Sequence, residues 1–104
     1  MKIGIVLTTV SNLKDAKRLA YICLRSKNTA CVSIIPQARS IYRWKKKIEE
    51  QKELVLIFKT TLANLNSLQE VIKFSHPYEL PEIIAVRVCA SSEYARWVSS
   101  FRNV

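Results

Sequence analysis

Apolar positions along the chain switch between a two-residue rhythm and a three-to-four-residue rhythm, and the switches mark the elements. Ile3, Ile5 and Leu7 alternate with Gly4, Val6 and Thr8, and neither set is charged. Residues 3–9 therefore read as a central strand covered on both sides. Gly4 leaves room there for a closely packed neighbour. The spacing then lengthens: Leu13, Ala16, Leu19, Ala20, Cys23 and Leu24 share one side of a helix, with Lys14, Lys17, Arg18 and Arg25 on the other. Asn12 followed by Asp15 has the form of a capping box, and Asn28 is a C-terminal stop, which predicts a helix over 13–27.

The stretch from Ala30 to Thr60 is the one around which the chain is organised. Cys31–Ile35, Ile41–Trp44 and Leu54–Phe58 are rich in β-branched and aromatic residues and read as two strands folded back on each other. Strands usually run about 5–6 residues, so this arm is expected to overhang its own subunit and pair with another. Pro36 lacks an N–H and fits an edge strand or a bulge. Leu54–Phe58 is continuously apolar and reads as a second central strand. At the tip, Lys45, Lys46 and Lys47 stand where a tight turn prefers Asn-Gly or Asp-Gly. A looser, mobile tip is expected, with Glu49, Glu50 and Glu53 partly offsetting the lysines.

Thr61 is the expected cap of a second helix carrying Leu62, Leu65, Leu68 and Ile72, which ends near His76 because Pro77 disfavours helix at the residue before it. The HPYELP segment is a rigid connection. Residues 83–88 form a fourth strand, whose Arg87 suits an edge. Ser91 caps a last helix with Tyr94, Trp97, Val98 and Phe101 on one face, too apolar to be left in water. Two apolar strands and two edge-like strands in this order predict an α+β, ferredoxin-like fold: βαββαβ plus a C-terminal helix, with helices against a four-stranded antiparallel sheet. Residues 1–104 are read as one domain. The sheet's other face also needs a cover, so an oligomer is expected.

Composition alters this picture little. The net charge of +9 favours anionic partners without naming one. No apolar run approaches the ~20 residues that span a bilayer, and Met1-Lys2 leads straight into the first strand, so neither a membrane nor a signal peptide is expected. Three cysteines, Cys23, Cys31 and Cys89, lack CxxC spacing and sit in apolar runs. They are expected to be small buried hydrophobes in a reduced, cytoplasmic protein.

ACVSIIPQARSIYRW, the following KIEE and LVLIFKT, HPYELPEIIA and the YARWV of the last helix together resemble the signature blocks of the CutA divalent-cation-tolerance family. The resemblance runs nearly end to end. It implies a ferredoxin-like subunit in a tight homotrimer like that of the PII signalling proteins, which bind small ligands in clefts between subunits. It further implies divalent-cation tolerance, with Cu2+ or another divalent cation as the candidate metal. Copper-binding members are described with a Cys at the end of the first strand and a His-His pair before Pro-Tyr. Leu7 and Ser75 stand in two of those places here, and only His76 remains. The family pattern also usually has Asn where Ser33 stands, and an acid and a Gly where Lys45-Lys46 stands.

His76 is the only histidine and has two readings: an imidazole resting on the last carbonyls of its helix, or a metal ligand together with Glu79 and Glu82 or a group from another subunit. Tyr42, Trp44, Lys59 and Tyr78 belong to the family-like blocks and have two readings: lining of an inter-subunit cleft that takes a small anionic ligand, or interface packing. Tyr94, Trp97 and Phe101 read as trimer packing. YRWKKK joins aromatics to positive charge as single-strand binders do, but no RRM, KH or helix-turn-helix pattern accompanies it, so nucleic acid is not the expected partner. No nucleophile–base pair, phosphate loop or HExxH appears, and no enzyme is expected.

Overall fold

A computed structural model describes residues 1–101. The elements follow as β1 (Lys2–Val10), α1 (Leu13–Arg25), β2 (Cys31–Trp44), β3 (Lys47–Thr60), α2 (Leu65–Ser75), β4 (Ile84–Cys89) and α3 (Ser92–Ser99). The strands form one sheet in the order β2-β3-β1-β4, with every neighbouring pair antiparallel. The ferredoxin-like order is the one expected. The two apolar strands β1 and β3 are central, and β2, carrying Pro36, and β4, carrying Arg87, lie at the edges.

Strand alternation divides the apolar residues between two faces. Val6 and Val10 of β1 and Leu56 and Phe58 of β3 point to one side, where they meet Ala16, Leu19 and Cys23 of α1 and Leu65, Leu68 and Ile72 of α2. Phe58, Leu19, Leu56, Leu68 and Ile72 are completely enclosed, each contributing about 1.5–3 kcal/mol through burial. Burial also pushes the Cys23 thiol up to about 12, which makes it an inert part of this core. Of the other two cysteines, Cys31 is half-buried and Cys89 is exposed, so the expected burial does not extend to Cys89, at the end of an edge strand. Opposite the helices, Ala95 and Val98 of α3 cover only Ile3 and the neighbouring Ile5, Val88, Ala30 and Ala90.

Local chemistry explains the boundaries. Asn12 Oδ1 accepts from the Asp15 N–H at 2.8 Å, and the Asn12 amide donates back to the Asp15 carboxylate at 3.0 Å. This reciprocal cap starts α1 as expected. The helix stops at Arg25, earlier than the expected 27: Lys27 takes the left-handed conformation (φ 60), and the N–H groups of Lys27 and Asn28 donate to Leu24 O and Cys23 O. Those two bonds close a Schellman motif in which Lys27 occupies the usual glycine position. Thr61 does not cap α2. Its hydroxyl accepts from the Asn64 N–H at 3.1 Å, closing a turn that delays the helix to Leu65.

The arm is longer and tighter than a core requires. β2 and β3 are each 14 residues long, and their hairpin stretches the chain to 44 × 24 × 22 Å. Pro36 and Gln37 together face Leu54, as the register shift between Ile35↔Val55 and Ala38↔Glu53 shows. This is the bulge that Pro36 predicted. The tip is not the loose loop expected from its lysines. Trp44 pairs directly with Lys47, and Lys45 and Lys46 alone make the turn, at φ 49 and 67. Positive φ at both central residues is the type I′ pattern, here adopted by two lysines because the paired strands on either side leave only two residues to reverse the chain.

Gly4 has the close neighbour its position suggested. A Cβ built on it would lie 2.7 Å from Leu65 Cδ1 and 3.3 Å from Thr60 Cγ2. Gly4→Ala is therefore expected to lower stability by about 1–3 kcal/mol through overpacking, and a second change, Leu65→Val, to restore part of it. Urea titrations of the three proteins check this; an alanine variant as stable as the parent would contradict it.

Candidate functional site

The residues of the HPYELPE connection meet the end of β1. α2 ends at Ser75, whose carbonyl accepts from Arg18 of α1 at 2.6 Å. Pro77 holds His76 extended (φ −71, ψ 137), so the imidazole leaves the helix axis and reaches β1. It does not rest on the helix's last carbonyls; Arg18 takes that role.

Hydrogen bonding around His76 determines its protonation. The Thr8 hydroxyl donates to Glu82 O at 2.5 Å, leaving its oxygen as an acceptor. His76 Nε2 lies 3.0 Å from that oxygen and 2.9 Å from Thr9 O, which only accepts. The Tyr78 N–H donates to Nδ1 at 3.1 Å. Nε2 therefore carries the proton and Nδ1 does not, giving a neutral ring with both nitrogens occupied. Burial lowers the imidazole below its ordinary value of 6.5, with Arg18 adding to the effect against the Thr9 carbonyl, Asp15 and Glu53.

Tyr78 extends the cluster to β3. Its ring meets the His76 ring edge-on at 4.9 Å, and its hydroxyl donates to Glu53 Oε2 at 2.7 Å. Burial raises the Tyr78 hydroxyl above the ordinary tyrosine range, and the adjacent Glu53 carboxylate raises it further. Glu53 is only 6% exposed. It is not a counter-charge for the tip lysines, as its place beside them in sequence suggested; it belongs to this polar junction. Thr8, Thr9 and Glu53 were not singled out as functional residues from sequence. The one trace they leave is polar residues at the end of an apolar run and just before another.

Other candidates lie elsewhere. Glu79 and Glu82 have exposed side chains, and among the described residues the ion pairs are Arg39–Glu50 and Arg96–Glu93. Trp44 is at the arm tip, with Lys45 Nζ 5.8 Å from its ring centre. Tyr42 is half-buried on the same strand. Lys59 lies near the other end of β3, opposite Cys31; its ammonium donates to Ser33 Oγ and lies 3.8 Å from Cys31 Sγ. Trp44 faces Lys47, so about 40 Å of strand separates it from Lys59 at ~3.3 Å per residue. One chain does not bring Tyr42, Trp44, Lys59 and Tyr78 into one cleft. Tyr94 stacks on Trp97 and Trp97 meets Phe101 edge-on, with ring centres 5.8 and 5.0 Å apart, on the outer side of α3.

The donor set does not amount to a metal centre within one chain. Among the described residues no three His, Cys, Asp or Glu side chains cluster closely enough to hold an ion, whereas a tight divalent site needs about three or four ligands. The His76 ring would have to give up a hydrogen bond to become one of them.

A neutral His76 has a signature in pH. Its folded pKa lies below the ordinary 6.5, so its contribution to stability is present in full above that value and is lost as pH falls through the lower folded value. His76→Gln is expected to be less stable than the parent at pH 8, with the gap closing as pH falls below about 6. Denaturant titrations of both proteins across pH check this; a gap independent of pH would contradict the neutral assignment.

Comparison with known proteins agrees with this architecture. The family model of the CutA1 divalent ion tolerance protein matches residues 4–100. The chain is 38% identical over 95 residues to the divalent-cation tolerance protein CutA of Thermus thermophilus, covering 90% of this chain and 92% of that one. It is 41% identical over 91 residues to the mouse protein CutA, which covers 86% of this chain but only 51% of the mouse protein's length. Its fold overlays the crystal structure of the divalent ion tolerance protein CutA1 from Ehrlichia chaffeensis with a TM-score of 0.93 at 30% identity, over 98% of this chain and 96% of that one. Matched in sequence and in fold over nearly its whole length, the chain belongs to the CutA1 divalent ion tolerance protein family.

Proposed function

We propose that the protein acts in divalent-cation tolerance as a non-enzymatic homotrimer of PII-like form. One observation carries the assembly: the sheet face opposite α1 and α2 is apolar and largely uncovered. Ile35, Ile84 and Val86 on that face are 48%, 46% and 40% exposed, and Trp97 beside it is 43% exposed. Contiguous apolar surface of this kind marks an interaction face. Sister copies are the occupants, with Tyr94, Trp97 and Phe101 packing across the junctions and the 14-residue strands of the arm reaching beyond their own core.

In this reading, clefts form between copies, where Tyr42, Trp44, Lys59 and Tyr78 of different chains approach one another. His76 is a positioning residue that fixes the HPYELPE connection. A cation such as Cu2+ is bound weakly, through the exposed Glu79 and Glu82 with further ligands from a second copy, because the described residues of one chain hold no cluster of three ligands. Cytoplasmic placement belongs to the same proposal and rests on Cys23, Cys31 and Cys89 all being free.

A charge on the open face tests the assembly. Val86→Lys is expected to reduce the molar mass measured by light scattering, whereas Phe74→Lys, at a position 93% exposed on the helix layer, leaves it unchanged. If both variants keep the parent's mass, the open face is not the interface. Calorimetry with Cu(II) tests the metal: Glu79→Gln with Glu82→Gln is expected to abolish heat release that His76→Gln retains, and the reverse result would make His76 the ligand.

A further inference from the structure

The bulge in the arm makes a second polar feature, separate from the His76 junction. Register places Arg39 directly opposite Lys52, on the same face of the two-stranded arm. Side chains directly opposite have Cβ atoms about 4.5–5.5 Å apart, and like charges in that relation are destabilising. Exposure softens the repulsion without removing it. One carboxylate answers it: Glu50, diagonal to Arg39 across the ladder and two residues from Lys52 on β3, meets Arg39 Nη1 at 3.0 Å. Among the described ion pairs none involves Lys52.

Gln37 stands beside this pair. The Pro36 bulge holds it at φ 65, a left-handed conformation that residues with a Cβ adopt only at some expense. Gln37, Arg39 and Lys52 line a cavity of about 350 Å³, open to solvent. Its lining thus comprises two cations and an amide. Farther along the same face Arg43 adds another cation, opposite Ile48. Three cations against the single carboxylate of Glu50 leave this face of the arm positive.

We propose that this notch binds an oxyanion, a phosphate or carboxylate group, held by the Lys52 ammonium, the guanidinium edge of Arg39 that Glu50 leaves free, and the Gln37 amide. Guanidinium and ammonium groups make their strongest hydrogen bonds to such oxygens, and an anion between Arg39 and Lys52 relieves the repulsion that the register imposes. Either a free small anion or a surface carboxylate of a second copy supplies this chemistry. The inference needs neither the cation role nor the cleft proposed above.

Inorganic phosphate is the probe. Titrated into the full chain at constant ionic strength, it is expected to shift the amide resonances of Gln37 and Ala38, and Lys52→Gln is expected to weaken that binding by about tenfold, the value of one charged hydrogen bond. The triple change Lys45→Ser, Lys46→Ser, Lys47→Ser serves as the control for general positive charge and is expected to retain the binding. If Lys52→Gln instead lowers the assembled mass in phosphate-free buffer while phosphate shifts nothing, the oxyanion is a carboxylate of a second copy. Unchanged mass with no shifts at the bulge overturns the proposal, as does loss of phosphate binding in the triple variant equal to that in Lys52→Gln.

Discussion

A four-stranded sheet has two faces, and this chain has enough helix to cover one of them and a corner of the other. α1 and α2 enclose Val6, Leu56 and Phe58 completely, but α3 contributes only Ala95 and Val98 to the opposite side. Apolar burial is the dominant favourable term in folding, so an uncovered apolar face is the least stable feature of an isolated subunit. The remaining unusual features of the chain answer that shortage. An arm of 14-residue strands projects past the core, and three aromatics in mutual contact are presented outward instead of inward.

The His76 junction serves the same architecture from inside. β4 pairs with β1 only from Lys2 to Leu7, so something must hold the connection that delivers it. His76, Tyr78 and Glu82 do so by bonding to Thr8, Thr9 and Glu53. A neutral imidazole is suited to that place because it donates from one nitrogen and accepts at the other. Among the described residues, no buried side-chain nitrogen or oxygen is left without a hydrogen-bond partner. Within one chain the lone histidine fastens this connection, both of its ring nitrogens being taken by Thr8, Thr9 and the Tyr78 N–H.

Much of the fold was legible because local chemistry and global order agree. The lack of an N–H at Pro36 placed β2 at an edge and foretold a bulge, and the uncharged alternation of β1 placed it in the centre. What stayed hidden was conformational: Lys27, Gln37, Lys45 and Lys46 all adopt positive φ in a chain with one glycine. Left-handed positions are usually read from Gly or Asn, so lysines in them give no warning, and a tight tip made of lysines reads as a loose one. The junction was only half legible. His76 and Tyr78 stand out beside two prolines, but the β1 partners of His76 lie 67 and 68 residues away and Glu53, the β3 partner of Tyr78, lies 25 away, and no local pattern links residues that distant. Glu53 misled because neighbours in sequence suggested a surface charge, whereas Tyr78 crosses over to bury it.

The central claim is that the chain's apolar sheet face is an interface between copies of itself. Sedimentation equilibrium of the unmodified protein from nanomolar to micromolar concentration tests it most directly. A single species with the mass of three chains of 12.0 kDa each is expected, persisting on dilution. A folded species with the mass of one chain across that range would contradict it.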